Sequence, residues 1–245
     1  MNIWTTEIGR VFATRLDADQ RTRSEDAIVS LSALLEDLLN DRRANPTEDV
    51  ISALAAASSE TDSLSPEECH AMAINLLFAG HDTTRSLLSV GFHALLSRPA
   101  ATAAVRESPE RIETAVERAV EEMLRFEPPT LGSLRAPSQT IETEAFTLPA
   151  DVPIHFLFPG GNRDPRAFRN PDAFDPERNE RRPLSFGLGA HFCLGAGLAR
   201  MEAQETLRAL LSLTREIECV ETPQFVPFAT IRRFESGLSL RLFAS

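Results

Sequence analysis

The sequence predicts a mainly α chain with a small β portion late in the order, an α+β arrangement. Three observations predict it. Apolar residues recur at helical spacing through two long stretches, residues 24–43 and about 65–97. From Thr130 to Phe158 the texture changes to short β-like runs separated by Pro137, Pro149 and Pro153. After a further helical stretch at about 194–213, residues 214–243 read as strands and turns.

The 24–43 helix rests on Ile28, Leu31, Leu34, Leu35, Leu38 and Leu39, and Asn45-Pro46 breaks it. A short helix follows at about 47–57. Ser65-Pro66-Glu67-Glu68 then reads as a helix start, with a capping serine, proline at the first position and glutamate at the third. That helix runs to about Ser97, before Pro99, which is long for a globular helix. Shorter helices are expected at about 100–106 and 109–126. Residues 159–185 are irregular, rich in Pro, Asn, Asp and Arg. There is no internal repeat and no low-complexity linker, so residues 1–245 read as one domain.

Composition narrows the function. The chain has 245 residues, enough for one good-sized core. Its net charge is −11, from 25 basic and 36 acidic residues, which argues against nucleic acid as a partner. All the basic residues are arginine. No run approaches the roughly 18 apolar residues of a spanning helix, and no basic-then-apolar leader opens the chain. The reading is a cytoplasmic protein without membrane contact. Cys69, Cys193 and Cys219 are too few and too far apart for a disulfide framework or a zinc site.

Four segments carry chemistry-bearing residues. Phe186-Gly187-Leu188-Gly189-Ala190-His191-Phe192-Cys193-Leu194-Gly195 places three glycines, a histidine and a cysteine directly before a helix. Glycine allows close backbone approach, a helix N-terminus keeps sulfur anionic, and His191 is a cationic or hydrogen-bonding neighbour. A buried cysteine in a glycine-rich strand-to-helix turn has the same look. Ala79-Gly80-His81-Asp82-Thr83-Thr84 sits mid-helix, where glycine costs about 1 kcal/mol and threonine bonds back to its own backbone. It reads as a local opening or as a kink. Glu122 and Arg125, three apart, share a helix face, as a surface ion pair would. Arg135, at a strand start, is by itself an ordinary solvated arginine.

Residues 186–195 resemble the haem-binding loop of the cytochrome P-450 family, whose pattern Phe-x-x-Gly-x-x-x-Cys-x-Gly is filled by Phe186, Gly189, Cys193 and Gly195. Histidine two before the cysteine is the form common in soluble bacterial members. The other segments match in the family's order. Ala79 to Thr84 resembles the oxygen-binding motif, Glu122-Met123-Leu124-Arg125 its Glu-x-x-Arg, and Asn162-Arg163-Asp164-Pro165 with Phe168, Pro171 and Phe174 its meander. The resemblance implies haem b (iron protoporphyrin IX) held by the Cys193 thiolate within a loop that includes Phe186, Gly187, Gly189 and Gly195. It implies Arg135 and His191 on the propionates, Asp82 and Thr83 as the proton-delivering pair, and a structural network of Glu122, Arg125 and Arg178. Pocket-lining positions would be Leu76, Leu77, Phe78, Ala79, Thr130, Leu131, Ala229 and Thr230.

The implied activity is a monooxygenase that inserts one atom of O₂ into a small apolar substrate. The acid–threonine pair favours O₂ over a peroxide-driven variant. With no flavin or iron–sulfur motif here, electrons would come from a separate ferredoxin or flavodoxin. Some of Arg163, Arg166, Arg169, Arg181 and Arg182 are expected to form a local basic docking patch for it. The match covers the chain from about residue 20, yet only the C-terminal part of the family fold. A truncated, catalytically silent chain and a non-enzymatic helper are therefore the alternative readings.

Overall fold

The computed structural model of the chain describes residues 2–12, 16–57, 64–108, 111–227 and 230–244. By packing, they divide on either side of Thr83 into two compact units.

The first unit holds α1 (Asn2–Gly9), α2 (Ala18–Ala44), α3 (Val50–Ala57) and most of α4 (Pro66–Ser86). α2 starts at Ala18 rather than at residue 24 because Asp17 and Gln20 cap it reciprocally. The Gln20 N–H donates to Asp17 Oδ1 (2.7 Å) and the Asp17 N–H to Gln20 Oε1 (3.1 Å). Ala27, Leu31, Leu35 and Leu39, four residues apart, form the buried stripe. With Ile8, Ala55 and Ala73 they make this unit's core. Ile28 and Leu34, expected on the apolar face, are left exposed.

The helix start expected at Ser65 is present. The Glu68 N–H donates to Ser65 Oγ (3.1 Å) and the Ser65 N–H to Glu68 Oε2 (2.7 Å), two donors that the first turn would otherwise leave unpaired. Ser65→Ala is expected to cost about 1 kcal/mol, lowering the melting temperature by roughly 2–4 °C. Circular dichroism melts check this, and an unchanged midpoint would refute the cap's contribution.

Helical backbone continues through a π-helical turn, Leu87–Gly91, into α5 (Phe92–Leu96), close to the 65–97 span that the spacing predicts. The interruption is not where the weak helix formers predict it. α4 stays regular through residues 79–84, where Thr83 Oγ1 donates to the Ala79 carbonyl (2.6 Å), a back-bond that the helix accommodates. The widening comes at Leu87–Gly91 for a tertiary reason. A Cβ on Gly91 would lie 3.1 Å from Met123 Cβ, so the absent side chain lets the two backbones close in. Ser89 Oγ donates to the Arg85 carbonyl (2.9 Å) there.

The second unit continues with α6 (Pro99–Arg106), opened by a proline in its first turn, and α7 (Ile112–Phe126). Pro109 and Glu110 of the helix expected at 109–126 lie outside the described residues. α7 stops because Pro128 and Pro129 have no N–H for the carbonyls of Leu124 and Arg125. β1 (Gly132–Arg135), β2 (Ile141–Glu142), β3 (Thr147–Leu148) and β4 (Ile154–Leu157) follow, then a short α8 (Phe158–Gly161) inside the otherwise irregular 159–185 stretch. α9 (Ala196–Leu213), β5 (Thr214–Cys219) and β6 (Leu240–Ala244) complete the unit. The strands form antiparallel ribbons, β1 with β4, β2 with β3, and β5 with β6.

α7 faces α9 through Val116, Ala119, Val120 and Met123 against Ala203, Leu207 and Leu211, with Leu87, Phe92 and Leu95 filling the same core. This mainly α chain with a small β portion is the class that the sequence predicts. Among the described residues, no helix is long and apolar enough to cross a membrane.

Candidate functional site

The loop before α9 is built by two tight turns. Leu184–Phe186 and Gly189–His191 are single 3-10 turns, separated by glycines at positive φ: Gly187 and Gly189 both sit at +70°. An L side chain would be strained at either position. The turns fold the chain back so that the Cys193 N–H donates to the Phe186 carbonyl (3.0 Å) and the Phe192 N–H to that of Gly189 (3.0 Å). Cys193 is exposed, two residues ahead of Gly195, the N-cap of α9. Gly195 supplies no side-chain acceptor, so the positive end of the helix dipole is left open to an anion.

Exposed apolar side chains surround the loop. Leu188, Phe192, Leu194, Leu198 and Met201 are all exposed, Leu194 at 84%. Leu198 and Met201, three apart, share one side of the head of α9, and Leu194 lies in the turn just before it. Gly189, Gly195 and Gly197 leave open space where a Cβ would stand. Because the thiol is exposed, this is not a buried structural cysteine, and an apolar group held through it would fit the face.

His191 is exposed and makes no side-chain hydrogen bond among the described residues. Arg135 is exposed on β1, bonded to Ser133 Oγ and to the Leu134 carbonyl (2.7 Å), with no carboxylate partner among the described residues. No hydrogen bond or ion pair among the described residues joins Arg135 to the cysteine loop. Phe186 is half-buried beneath the Arg200 guanidinium, 4.5 Å from its ring centre, and Arg200 pairs with Glu121 of α7.

Glu122, Arg125 and Arg178, grouped by the sequence reading, do meet. Arg125 gives Nε to Glu122 Oε2 and Nη2 to Oε1, both at 2.7 Å, and Arg178 Nε reaches Oε2 at 3.1 Å. The side chains of Glu122 and Arg125 are 0% and 1% exposed, so this is a buried bidentate pair rather than a surface one. Arg125 also donates to the carbonyls of Asn162 (2.9 Å), Pro171 (2.7 Å) and Ala173 (2.9 Å), which binds α7 to the irregular segment.

In the first unit, Asp82 is 2% exposed and Thr83 is half-buried on α4. Leu76, Leu77 and Phe78 are half-buried and Ala79 is exposed. In the second unit, Thr130 bridges Ile231, and the Leu131 N–H donates to the Thr230 carbonyl (3.3 Å); Ala229 lies outside the described residues. Beside them Arg232 Nη2 lies 2.9 Å from Glu127 Oε2. Burial pushes the Glu127 carboxyl up from its ordinary range, against the opposing pull of Arg232, Arg163 and Arg98.

Of the five arginines from which a docking patch was expected, three face carboxylates. Arg166 pairs with Asp164 at 2.6 Å and holds that carboxyl down to about 2. Arg169 faces Glu180 at 3.8 Å. Arg163 faces Asp172 at 3.9 Å and stacks on Phe126 at 4.6 Å. Acidic residues interleaved at short range in the same segment cancel the charge that a count of arginines suggests. Arg181 and Arg182 remain exposed, at a groove of about 480 Å³ shared with Glu117, Arg118 and Glu121. Sequence reasoning also missed Ser185 and the side-chain role of Asn162; the only signal was the asparagine of the Asn162–Pro165 stretch.

The family model described as Cytochrome P450 matches residues 15–215. The chain is 39% identical over 197 residues to the biotin biosynthesis cytochrome P450 of Bacillus subtilis (strain 168), covering 78% of this chain and 49% of that protein. It is 38% identical over 195 residues to the cytochrome P450 monooxygenase PikC of Streptomyces venezuelae, covering 79% and 46%. The solved structure of CalO2 superposes with a TM-score of 0.88 at 27% identity, covering 98% of this chain and 60% of that one. P450BioI, solved in complex with a hexadec-9Z-enoic acid ligated acyl carrier protein, superposes with a TM-score of 0.88 at 31% identity and the same coverage. The chain thus spans about half the length of the curated relatives it matches.

Proposed function

Because this chain belongs to the cytochrome P450 family, we propose that its Cys193 thiolate holds haem b and that it acts as a monooxygenase on a small apolar organic substrate. The observation that carries the reading is the exposed Cys193 thiol at the open head of α9, framed by exposed apolar side chains and side-chain-free glycines. Two relatives are named a monooxygenase and a 6-deoxyerythronolide B hydroxylase, which supports the reaction class.

Haem held by a thiolate supplies the oxygen chemistry, since sulfur donation favours O–O cleavage. The chain's own residues do the rest. The bond from the Cys193 N–H to Phe186 fixes the backbone that carries the sulfur. Arg135 and His191 are the proposed donors to the propionates, where charge-assisted bonds are strong. Thr83 holds its hydroxyl proton on the Ala79 carbonyl, and rotation about χ1 would release it for transfer. Asp82 is the proposed group that resupplies that proton. Electrons come from a separate donor of the ferredoxin or flavodoxin type.

The test is the carbon monoxide difference spectrum of the reduced, haem-supplemented protein. A strongly red-shifted Soret band marks thiolate ligation and supports the reading; its absence overturns it. Thr83→Ala is expected to retain that band and to lower product formation on the order of 10²-fold. Product formation at the wild-type rate would remove Thr83 from the proton path.

A further inference from the structure

The cysteine loop is anchored to α7 by a hydrogen-bonded pair that the family reading leaves without a role. The Leu124 carbonyl would ordinarily accept from the amide four residues on, but that residue is Pro128. Ser185 Oγ donates to it instead, at 2.6 Å. Ser185 in turn accepts from Asn162 Nδ2 (3.0 Å), while Asn162 Oδ1 accepts the Leu184 N–H (2.7 Å).

Every direction in this chain of bonds is fixed. A backbone N–H only donates, so Oδ1 of Asn162 must face Leu184 and Nδ2 must face Ser185. A carbonyl only accepts, so the Ser185 proton must point at Leu124. Asn162 is 0% exposed, and its main-chain carbonyl accepts from Arg125 Nη1 (2.9 Å). One residue past Ser185, the Phe186 carbonyl holds the Cys193 N–H. Beyond Phe186 the loop turns on Gly187 and Gly189, which constrain it little.

We propose that Asn162 and Ser185 are positioning residues for Cys193. They lock the Leu184–Phe186 turn onto the end of α7 and thereby set where the Phe186 carbonyl holds the cysteine. The inference rests on Cys193 as the haem ligand, as proposed above. Ser185→Ala removes the hydroxyl with little change in volume, and Asn162→Asp keeps the acceptor for Leu184 but sets a second acceptor against Ser185.

Amide hydrogen exchange on the full chain, without haem, tests the anchoring directly. Both variants are expected to exchange the Leu184 and Cys193 amides about tenfold faster, with α7 amides before Leu124 unchanged and with Ser185→Thr near wild type. In the haem-supplemented protein, the same variants should convert part of the red-shifted carbon monoxide band to the band of a lost thiolate, at unchanged haem content. Wild-type exchange at Cys193 in both variants overturns the proposal. So does a lowered unfolding midpoint with no local change in exchange, which would mark ordinary packing. A wild-type protein that lacks the red-shifted band, yet whose variants show the faster exchange, would instead defeat the haem reading and leave the anchor standing.

Discussion

Cys193→Ser is expected to abolish the red-shifted carbon monoxide band altogether while leaving stability within about 0.5 kcal/mol of wild type. The two halves of that result have separate causes. The thiol is exposed, so exchanging sulfur for oxygen creates no cavity. Serine's hydroxyl, in contrast, stays protonated where a cysteine can supply a thiolate, and it lacks the softness of sulfur as a ligand. Neither remaining cysteine can take over. Cys69 is fully buried, and burial pushes the thiol of half-buried Cys219 up from its ordinary value. Optical spectra beside a urea titration give both readings, and a serine variant that kept the band would show the iron to be held elsewhere.

Arg125→Ala has the largest expected effect on the fold, a loss of about 3–5 kcal/mol. The guanidinium makes five donor contacts: two to Glu122 and one each to the carbonyls of Asn162, Pro171 and Ala173. Among the described residues, truncation leaves a buried carboxylate with Arg178 and the Asp175 N–H as partners, the carbonyls of Asn162 and Pro171 short of their side-chain donor, and that of Ala173 with Arg178 alone. Against a typical total stability of about 5–15 kcal/mol, that is a large share. Arg125→Lys should recover little, because one ammonium cannot span both Glu122 oxygens and the carbonyls beyond them. Denaturant midpoints decide it. A loss below about 1 kcal/mol would mean that water or Arg178 replaces the missing donors.

What was legible in the sequence divides by range. Helix existence, the Ser65 cap, the prolines that end helices and the ten-residue cysteine loop are local patterns, each carrying its own physical reason. Glu122 with Arg125 was local too, and Arg178 joined them only through resemblance. The failures are long-range or cancelling effects. The π-helical turn lies at Leu87–Gly91 because Gly91 approaches Met123, a contact between residues far apart in the chain. The arginine segment is offset in part because Asp172, Asp164 and Glu180 lie against Arg163, Arg166 and Arg169, while Arg181 and Arg182 stay exposed. Ser185 could not be singled out, since its importance comes from Pro128 removing a donor 57 positions earlier.

The end of α7 also has a schedule. The Leu124 carbonyl emerges from the ribosome 61 residues ahead of the hydroxyl that satisfies it. At roughly 5–20 residues per second of synthesis, that interval is about 3–12 s. During it, the Ser185 hydroxyl is not yet there to donate to this carbonyl. The Leu184–Phe186 turn can therefore be tied to the end of α7 only after Ser185 has been made.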